Sequence, residues 1–405
     1  MLAFYSSPDD VQAIVKDNGD YMLPFATTAC NRSSLVAVGD ESGCVRLIES
    51  AAGEKPGFTV PYLSFQLHEN AIFDLSWSHD DHQIATASGD QTIRIFDVTK
   101  QQKLAVLKNH DNSVKTVSYN PHNPSILVSS ARDGTFNIWD LRIAGTKASE
   151  GRDIVTTLQP VMSIAKGHTL PKKTSTGSIT AAVWLSETKI ATACERDAII
   201  KVWDTRSPQI KRRKPTAVES TALPPIHALP NHRTFGINSL AVSPDSQRVY
   251  AVCKDSVVYA YSTQAMAHGP IHAYSHPSFH AETFYVKGAL SRDGAFLATG
   301  SSDNVAVLFP TDERHLDRRV SSSFAHAKGE HPLAAHLAVG RGVALVRGHD
   351  KEVTDVTWTE NGELVSLGDD FQARCWRRDG AEAERMRTCG EEGGKRWAWG
   401  WADEK

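Results

Sequence analysis

Hydrophobic and polar residues alternate in short runs along most of this chain. Thr92-Ile93-Arg94-Ile95-Phe96, Thr135-Phe136-Asn137-Ile138-Trp139 and Ile199-Ile200-Lys201-Val202-Trp203 are rich in β-branched and aromatic side chains, and such runs predict strands. Each ends on a large apolar residue, and an aspartate stands six positions before it. The pairs are Asp90 and Phe96, Asp133 and Trp139, Asp197 and Trp203, Asp255 and Tyr261, Asp303 and Phe309, and Asp370 and Trp376. A second strand precedes each aspartate, as at Gln83 to Ala87, Ser125 to Ser129, Lys189 to Ala193, Phe296 to Thr299 and Glu363 to Ser366. A third lies ahead of that, as at Ile72 to Trp77, Val114 to Tyr119, Ile237 to Val242 and Val353 to Trp358. Turn sequences such as Ser243-Pro244-Asp245, Arg292-Asp293-Gly294 and Asn361-Gly362 separate the runs. A degenerate first copy, Gly43 to Ile48, carries Ser42 where the others carry aspartate.

His68, His110 and His349 precede first strands, with Gly348-His349 the cleanest case. Histidine, strand, turn, strand, Asp, strand, Trp-Asp is the WD-repeat pattern, in which one unit of about 40 to 45 residues forms one four-stranded blade. One blade cannot bury both faces of its sheet, whereas a ring of blades can, and closure protects the sheet edges. The expected architecture is an all-β, seven-bladed WD-repeat β-propeller over residues 21–378, with an N-terminal segment at 1–20 and a short C-terminal tail at 379–405. Longer gaps predict insertions after blades three, four and six, at Ile143 to Gly177, Ser207 to Phe235 and roughly Thr311 to Arg347. The first two are rich in Lys, Ser, Thr and Pro and the third in histidine, which points to loops.

Composition narrows the function. A formal net charge of −3 over 405 residues describes neither a general polyanion binder nor an acidic disordered chain. The six cysteines, Cys30, Cys44, Cys194, Cys253, Cys375 and Cys389, form no CxxC pair, so free thiols in a reducing compartment are expected. Met1 to Lys16 lacks a signal-like apolar core and no stretch is long and apolar enough to span a bilayer, so a soluble intracellular protein is expected. The histidines of 268–280 and 326–336 are irregularly spaced without a carboxylate or thiol cluster, and no P-loop is present. Neither a metal, a cofactor nor a small-molecule ligand is therefore expected.

Ser, His and Asp recur together, which invites a hydrolase reading. His110, Ser129, Asp133 and Trp139 form one set, His349, Ser366, Asp370 and Trp376 another, and His68, Thr86, Asp90 and Phe96 a third without the Trp donor. An active site is needed once, whereas a scaffold needs its buried polar groups paired in every blade. The sets are read as structural hydrogen-bond networks, and no catalytic residue is assigned.

Three features offer surfaces to partners. Trp139-Asp140-Leu141-Arg142 and Trp203-Asp204-Thr205-Arg206 end consecutive blades, so both arginines belong on one rim, able either to engage a partner's oxygens or to pair within their own blade. Lys211-Arg212-Arg213-Lys214-Pro215 is a compact basic cluster, open to reading as an import signal or as a solvated loop. Arg132, Arg196 and Lys254 each precede a turn aspartate and face the opposite, channel-mouth surface. Together with Phe73, Lys115 and Lys287 they form a candidate substrate-binding face suited to an acidic or mixed peptide.

At this point the residues resemble one family. Phe73-Asp74-Leu75-Ser76-Trp77 with Ala87 to Thr92 looks like the second blade of the denticleless family, Arg132-Asp133-Gly134 with Ile138 to Arg142 its third, and Asp197 to Arg206 its fourth. Thr283-Phe284-Tyr285-Val286-Lys287, followed by Gly300-Ser301-Ser302-Asp303, is the most distinctive match, and Gly400-Trp401-Ala402 is similar to a segment following that propeller. The resemblance implies a non-catalytic substrate receptor of a cullin-4 RING ubiquitin ligase. Its WDxR residues, here Trp139, Asp140 and Arg142 with Trp203, Asp204 and Arg206, would dock on the triple-propeller adaptor. Its substrates would be replication and cell-cycle proteins bound to PCNA in the nucleus, with nucleic acid met only indirectly. Some members carry a clamp-binding motif in a long C-terminal extension. Asp379 to Lys405 lacks it, so capture is expected to rest on the propeller. The alternative is a WD-repeat scaffold of another nuclear, chromatin-associated complex.

Overall fold

The computed structural model of the chain describes residues 1–16, 18–53, 57–168, 177–206, 216–222, 235–317, 337–388 and 399–404. The strands follow one another as antiparallel meanders. Ile72–Trp77, Gln83–Ser88, Thr92–Asp97 and Gln102–Lys108 form one, with Leu75 opposite Thr86, Thr86 opposite Arg94 and Ile95 opposite Ala105. Further units run Pro24–Ala29 to Pro61–Gln66, Val114–Tyr119 to Met162–Ala165, Ile179–Trp184 to Glu219–Ser220, and Ile237–Val242 to His272–Ser275. The second strand of a unit, such as Gln83–Ser88 or Lys189–Cys194, is buried on both faces. Its small residues, Ala85 and Ala87 or Ala191 and Ala193, let the neighbouring sheets close on it.

The core has no single centre. Each hydrophobic cluster is shared by two consecutive four-stranded units. One joins Ala85, Ile93 and Ile95 to Val114, Val117 and Trp139; the next joins Val128 and Phe136 to Ile179, Trp184 and Trp203. Another joins Val365, Leu367, Ala373 and Cys375, late in the chain, to Val36, Val38 and Ile48 near its start. The result is an all-β, nearly closed propeller of WD repeats. Among the described residues the one α-helix is Gly380–Thr388, and no helix there is long and apolar enough to cross a membrane.

The chain ends depart from the expected division. Phe4–Ser6 and Val11–Ala13 pair with Gln372–Arg378, so the N-terminus supplies the outer strand of the last unit. Gly400–Asp403 pairs with Phe4–Ser6 on one side and with Val343–Val346 on the other, making one continuous ten-stranded sheet. Gly380–Thr388 and Gly400–Asp403 are thus no loose tail: this helix and this strand are built into the closure, and Arg387 Nη1 donates to the carbonyls of Leu2 and Ala402 at 2.6 and 3.2 Å.

All three predicted loops also carry strands, Glu219–Ser220 of the second pairing with Lys201–Asp204 as the outer strand of its unit. Thr146–Glu150 and Asp153–Leu158 form a hairpin turning at Gly151 (φ 65°). The hairpin adds in parallel to Gln102–Lys108 of the preceding unit, where Arg94 and Lys103 both reach Glu150. Likewise Leu316–Asp317 and Ala338–Arg341 extend the sheet of His272–Ser275. Both additions reach across to the outer strand of the previous unit and cover its edge.

Candidate functional site: two opposite edges of the ring

The register separates two edges. Tyr119 pairs with Leu127 and Ile126 with Asp140, so the end of the first strand, the start of the second and the end of the third share one edge. Arg142 and Arg206 stand there, with side chains 64% and 69% exposed. Trp139 and Trp203 are buried, so of each Trp-Asp-x-Arg set it is the arginine head that is presented. Each head forks onto its own aspartate. Arg142 donates from Nε and Nη2 to Asp140 at 2.9 and 2.7 Å, and Arg206 to Asp204 at 3.1 and 2.9 Å. These bonds hold the Asp140 carboxyl below its ordinary range and bring Asp204 down to about 2. A guanidinium has five donors, and the fork engages two nitrogens while fixing the plane of the head. Sequence reading missed a third fork: Arg314 donates from Nε and Nη2 to Asp312 at 2.9 and 2.5 Å. Phe309-Pro310 replaces Trp-Asp in that unit and the fork lies two positions later.

The opposite edge is the channel mouth. Arg132 N donates to Ser113 O and Lys254 N to Gly236 O, placing the residue before each turn aspartate beside the start of a first strand. Those strands bulge at their second residue. The register shifts between Pro24 and Ala26, Ile72 and Asp74, Val114 and Thr116, Ile179 and Ala181, Ile237 and Ser239, and Val353 and Asp355. A bulge re-aims a side chain, here Phe25, Phe73 and Lys115 among others. Phe25 stacks on Tyr285 (5.1 Å between centroids) and meets Phe73 at 5.8 Å. The Lys115 ammonium lies 3.9 Å from the Phe73 ring centre and 4.0 Å from that of Phe284. Arg132 and Arg196 are exposed and Lys254 half-buried. Arg196 pairs with Glu195 at 3.5 Å.

Phe284 and Tyr285 arrive on a loop, since the first strand of this unit is cut to Gly288–Leu290. Asn238 Nδ2 donates to the carbonyls of Ala281 and Thr283, and Thr283 Oγ1 donates to Glu352. Lys287 descends instead into the channel. Its Nζ donates to Phe73 O at 2.9 Å and reaches Asp355 at 3.0 Å and Asp74 at 3.4 Å. This is a correction for Lys287: its charge faces two internal carboxylates rather than the open face. Burial works against the ammonium, but Asp355 and Asp74 outweigh it and raise its pKa. Asp74, the more distant partner, is raised by burial.

The repeated polar sets do come together. His110 lies 3.2 Å from Asp133 and 2.8 Å from Ser129, and Trp139 donates to Ser129 at 2.8 Å. His349, Asp370, Ser366 and Trp376 repeat this at 3.0, 2.8 and 2.8 Å. His68 meets Asp90 and Thr86, each at 2.7 Å. A fourth set was hidden by the insertion before it: His168 lies 3.2 Å from Asp197 and 2.9 Å from Thr192, to which Trp203 donates at 2.8 Å. Ligand atoms of His168, Cys194 and Asp197 lie within 4.8 Å of one another, but both ring nitrogens of His168 face these hydrogen-bond partners. In the first unit Asp40 takes the turn role assigned to Ser42 and pairs with buried Arg46. Asp133→Ala is expected to lower stability by on the order of 1–3 kcal/mol, because Asp111 N, Thr135 N and His110 lose their acceptor. An unchanged melting temperature would contradict this.

Asp255 occupies the same position and meets no histidine among the described residues, the segment 223–234 ahead of its unit lying outside them. One oxygen accepts from Tyr259 at 2.8 Å and the other is buried with no hydrogen-bond partner among the described residues. Burial pushes its carboxyl up to about 7. A folded pKa above the unfolded one gives stability below the unfolded pKa that is lost as pH rises through the folded value. Asp255→Asn, which keeps the acceptor for Tyr259, should therefore be more stable than wild type at pH 8, by on the order of 2–4 kcal/mol. The gap should close towards pH 4; a constant gap in thermal melts across that range would refute the assignment.

The model of the WD domain, G-beta repeat family matches residues 59–97, 101–140, 223–262 and 340–377. The first two matches begin on or just before the outer strand of one unit, the second including three strands of the next. "Cell division cycle protein cdt2" of Schizosaccharomyces pombe is 32% identical over 92% of this chain and 71% of its own length. "Denticleless protein homolog B" of Xenopus laevis is 27% identical over 89% of this chain and 49% of its own, and "Denticleless protein homolog" of Homo sapiens is 26% identical over 100% and 53%. The chain thus spans about half the length of these animal relatives. Identity of this extent across the ring, together with the repeats themselves, makes the chain a member of the Denticleless family of WD-repeat proteins.

Proposed function

We propose that this chain is the substrate-recognition subunit of a cullin-4 RING ubiquitin ligase. The single observation that carries the reading is the pair of exposed arginine forks, Arg142 on Asp140 and Arg206 on Asp204, on consecutive units of a Denticleless-family propeller. Both heads are held flat and turned to the edge away from the channel mouth, so one edge docks on the triple-propeller adaptor while the other receives substrate. The substrates proposed are PCNA-bound replication and cell-cycle proteins in the nucleus. The ring is proposed to have seven blades, the last formed by Val353–Trp358, Leu364–Gly368 and Gln372–Arg378 with the N-terminal strands that pair with it. The chain performs no chemistry itself: the histidines and strand hydroxyls of its Ser, His and Asp sets are buried and the sets repeat from unit to unit, and ubiquitin transfer belongs to other subunits. The basic cluster Lys211 to Lys214 lies outside the described residues. Affinity capture with the full chain tests the reading. Recovery of the adaptor and cullin-4 supports it; recovery of nucleosomal proteins without either favours a chromatin scaffold.

A further inference from the structure

The channel mouth holds one amine whose surroundings are incomplete. Lys115 is half-buried, and among the described residues its ammonium has neither a carboxylate nor a hydrogen-bond acceptor within reach. It is held only by the rings of Phe73 and Phe284, with Tyr285 further off at 5.9 Å. Cation–π contact offsets only part of the cost of withdrawing an ammonium from water. Lys287, close by, shows the contrast, since two carboxylates and a carbonyl surround it. Arg132 and Lys254, on the same rim, likewise make no ion pair among the described residues.

We infer that the mouth is an acceptor site for a carboxylate side chain on an extended segment of a partner protein, Lys115 being its central donor and Arg132 its second. A neighbouring aromatic or large apolar side chain of that segment would lie on Tyr285 and Phe25, which are half-buried with their rings already stacked. Charge complementarity selects the occupant. An acidic group supplies what Lys115 lacks, whereas a basic one meets Lys115, Arg132 and Lys254. The proposal rests on the receptor reading only in taking the ligand to be a protein segment.

The site has a proton signature. Burial, then Arg132 and Lys287, bring the Lys115 amine down to about 8 against the opposing pull of Glu195. The phenol of Tyr285 is raised by burial and stays protonated in that range. A carboxylate binds the ammonium and not the amine, so affinity should fall as pH rises through about 8.

The probe is a fluorescein-labelled peptide of alternating Glu and Phe, beside versions with Gln or Lys in place of Glu. The full chain is followed by fluorescence anisotropy at constant ionic strength. Binding of the Glu peptide is expected to exceed the Gln peptide by about tenfold or more. It should drop similarly in Lys115→Met, which keeps an apolar stem between the rings, and persist in Lys115→Arg without the fall near pH 8. Equal binding of the Glu and Gln peptides, preference for the Lys peptide, or full binding by Lys115→Met would overturn the inference. So would Lys115-dependent capture of a single-stranded oligonucleotide in place of the peptide. Both variants should still capture the adaptor through the other edge, so failure here is distinct from failure of the receptor reading.

Discussion

Replacing Arg142 and Arg206 together by alanine is expected to weaken capture of the cullin-4 adaptor by on the order of a hundredfold or more, with the circular dichroism spectrum unchanged and the melting temperature within about 2 °C of wild type. Both heads are well exposed and, among the described residues, bond to the aspartate of their own turn alone, so the fold does not depend on them. The aspartates retain backbone donors, Arg142 N to Asp140 and Arg206 N to Asp204, and the turns should survive. Lysine at both positions should not restore capture, because an ammonium cannot lock onto the aspartate as a planar fork and present a fixed edge outward. Undiminished capture by the alanine variant would remove the docking role from these arginines and leave the WD-repeat fold untouched.

The strands were legible because their signals are local. Alternation, β-branched residues and a turn aspartate all lie within a few positions, and the histidine networks repeat with them. What escaped depends on distance. Thr146 to Glu150 is Thr-Lys-Ala-Ser-Glu, exposed at nearly every position. It carries no alternation to read, and its strand is imposed by pairing with Asp153–Leu158. His168 lies inside the segment Ile143 to Gly177 that reads as an insertion, and Asp40 is not legible because its partner is an arginine instead of a histidine. The mouth was half legible. The rim positions followed from the turn aspartates, but Phe25 required knowing that first strands bulge at their second residue. Phe284 and Tyr285 stood out in the sequence only through family resemblance, and their role follows from a loop held by Asn238 and Glu352.

Lys287 is the clearest case of distance, and its loss should be the most damaging single change in the channel. Its partners Asp74 and Asp355 lie 213 and 68 residues away. Each also accepts from the backbone of a neighbouring unit, Asp74 from Val117 N and Asp355 from Thr27 N. The lysine therefore joins three units to two more around the ring. Lys287→Met keeps the chain length and removes the charge, leaving two partly desolvated carboxylates near one another without a cation. The expected cost is about 3–5 kcal/mol, the range for breaking a buried pair from one side. Lysine's loss should raise the Asp74 carboxyl further, from a position already lifted by burial, because Lys287 no longer opposes that rise. Groups raised in the folded state favour the fold below the unfolded pKa and oppose it as pH climbs through the folded one. The deficit relative to wild type should thus be large at pH 7.5 and shrink as pH falls towards about 4, and adding Asp355→Asn should recover part of it. A deficit that is small, or that does not change with pH in chemical denaturation, would show that the ion pairs do not hold the channel together.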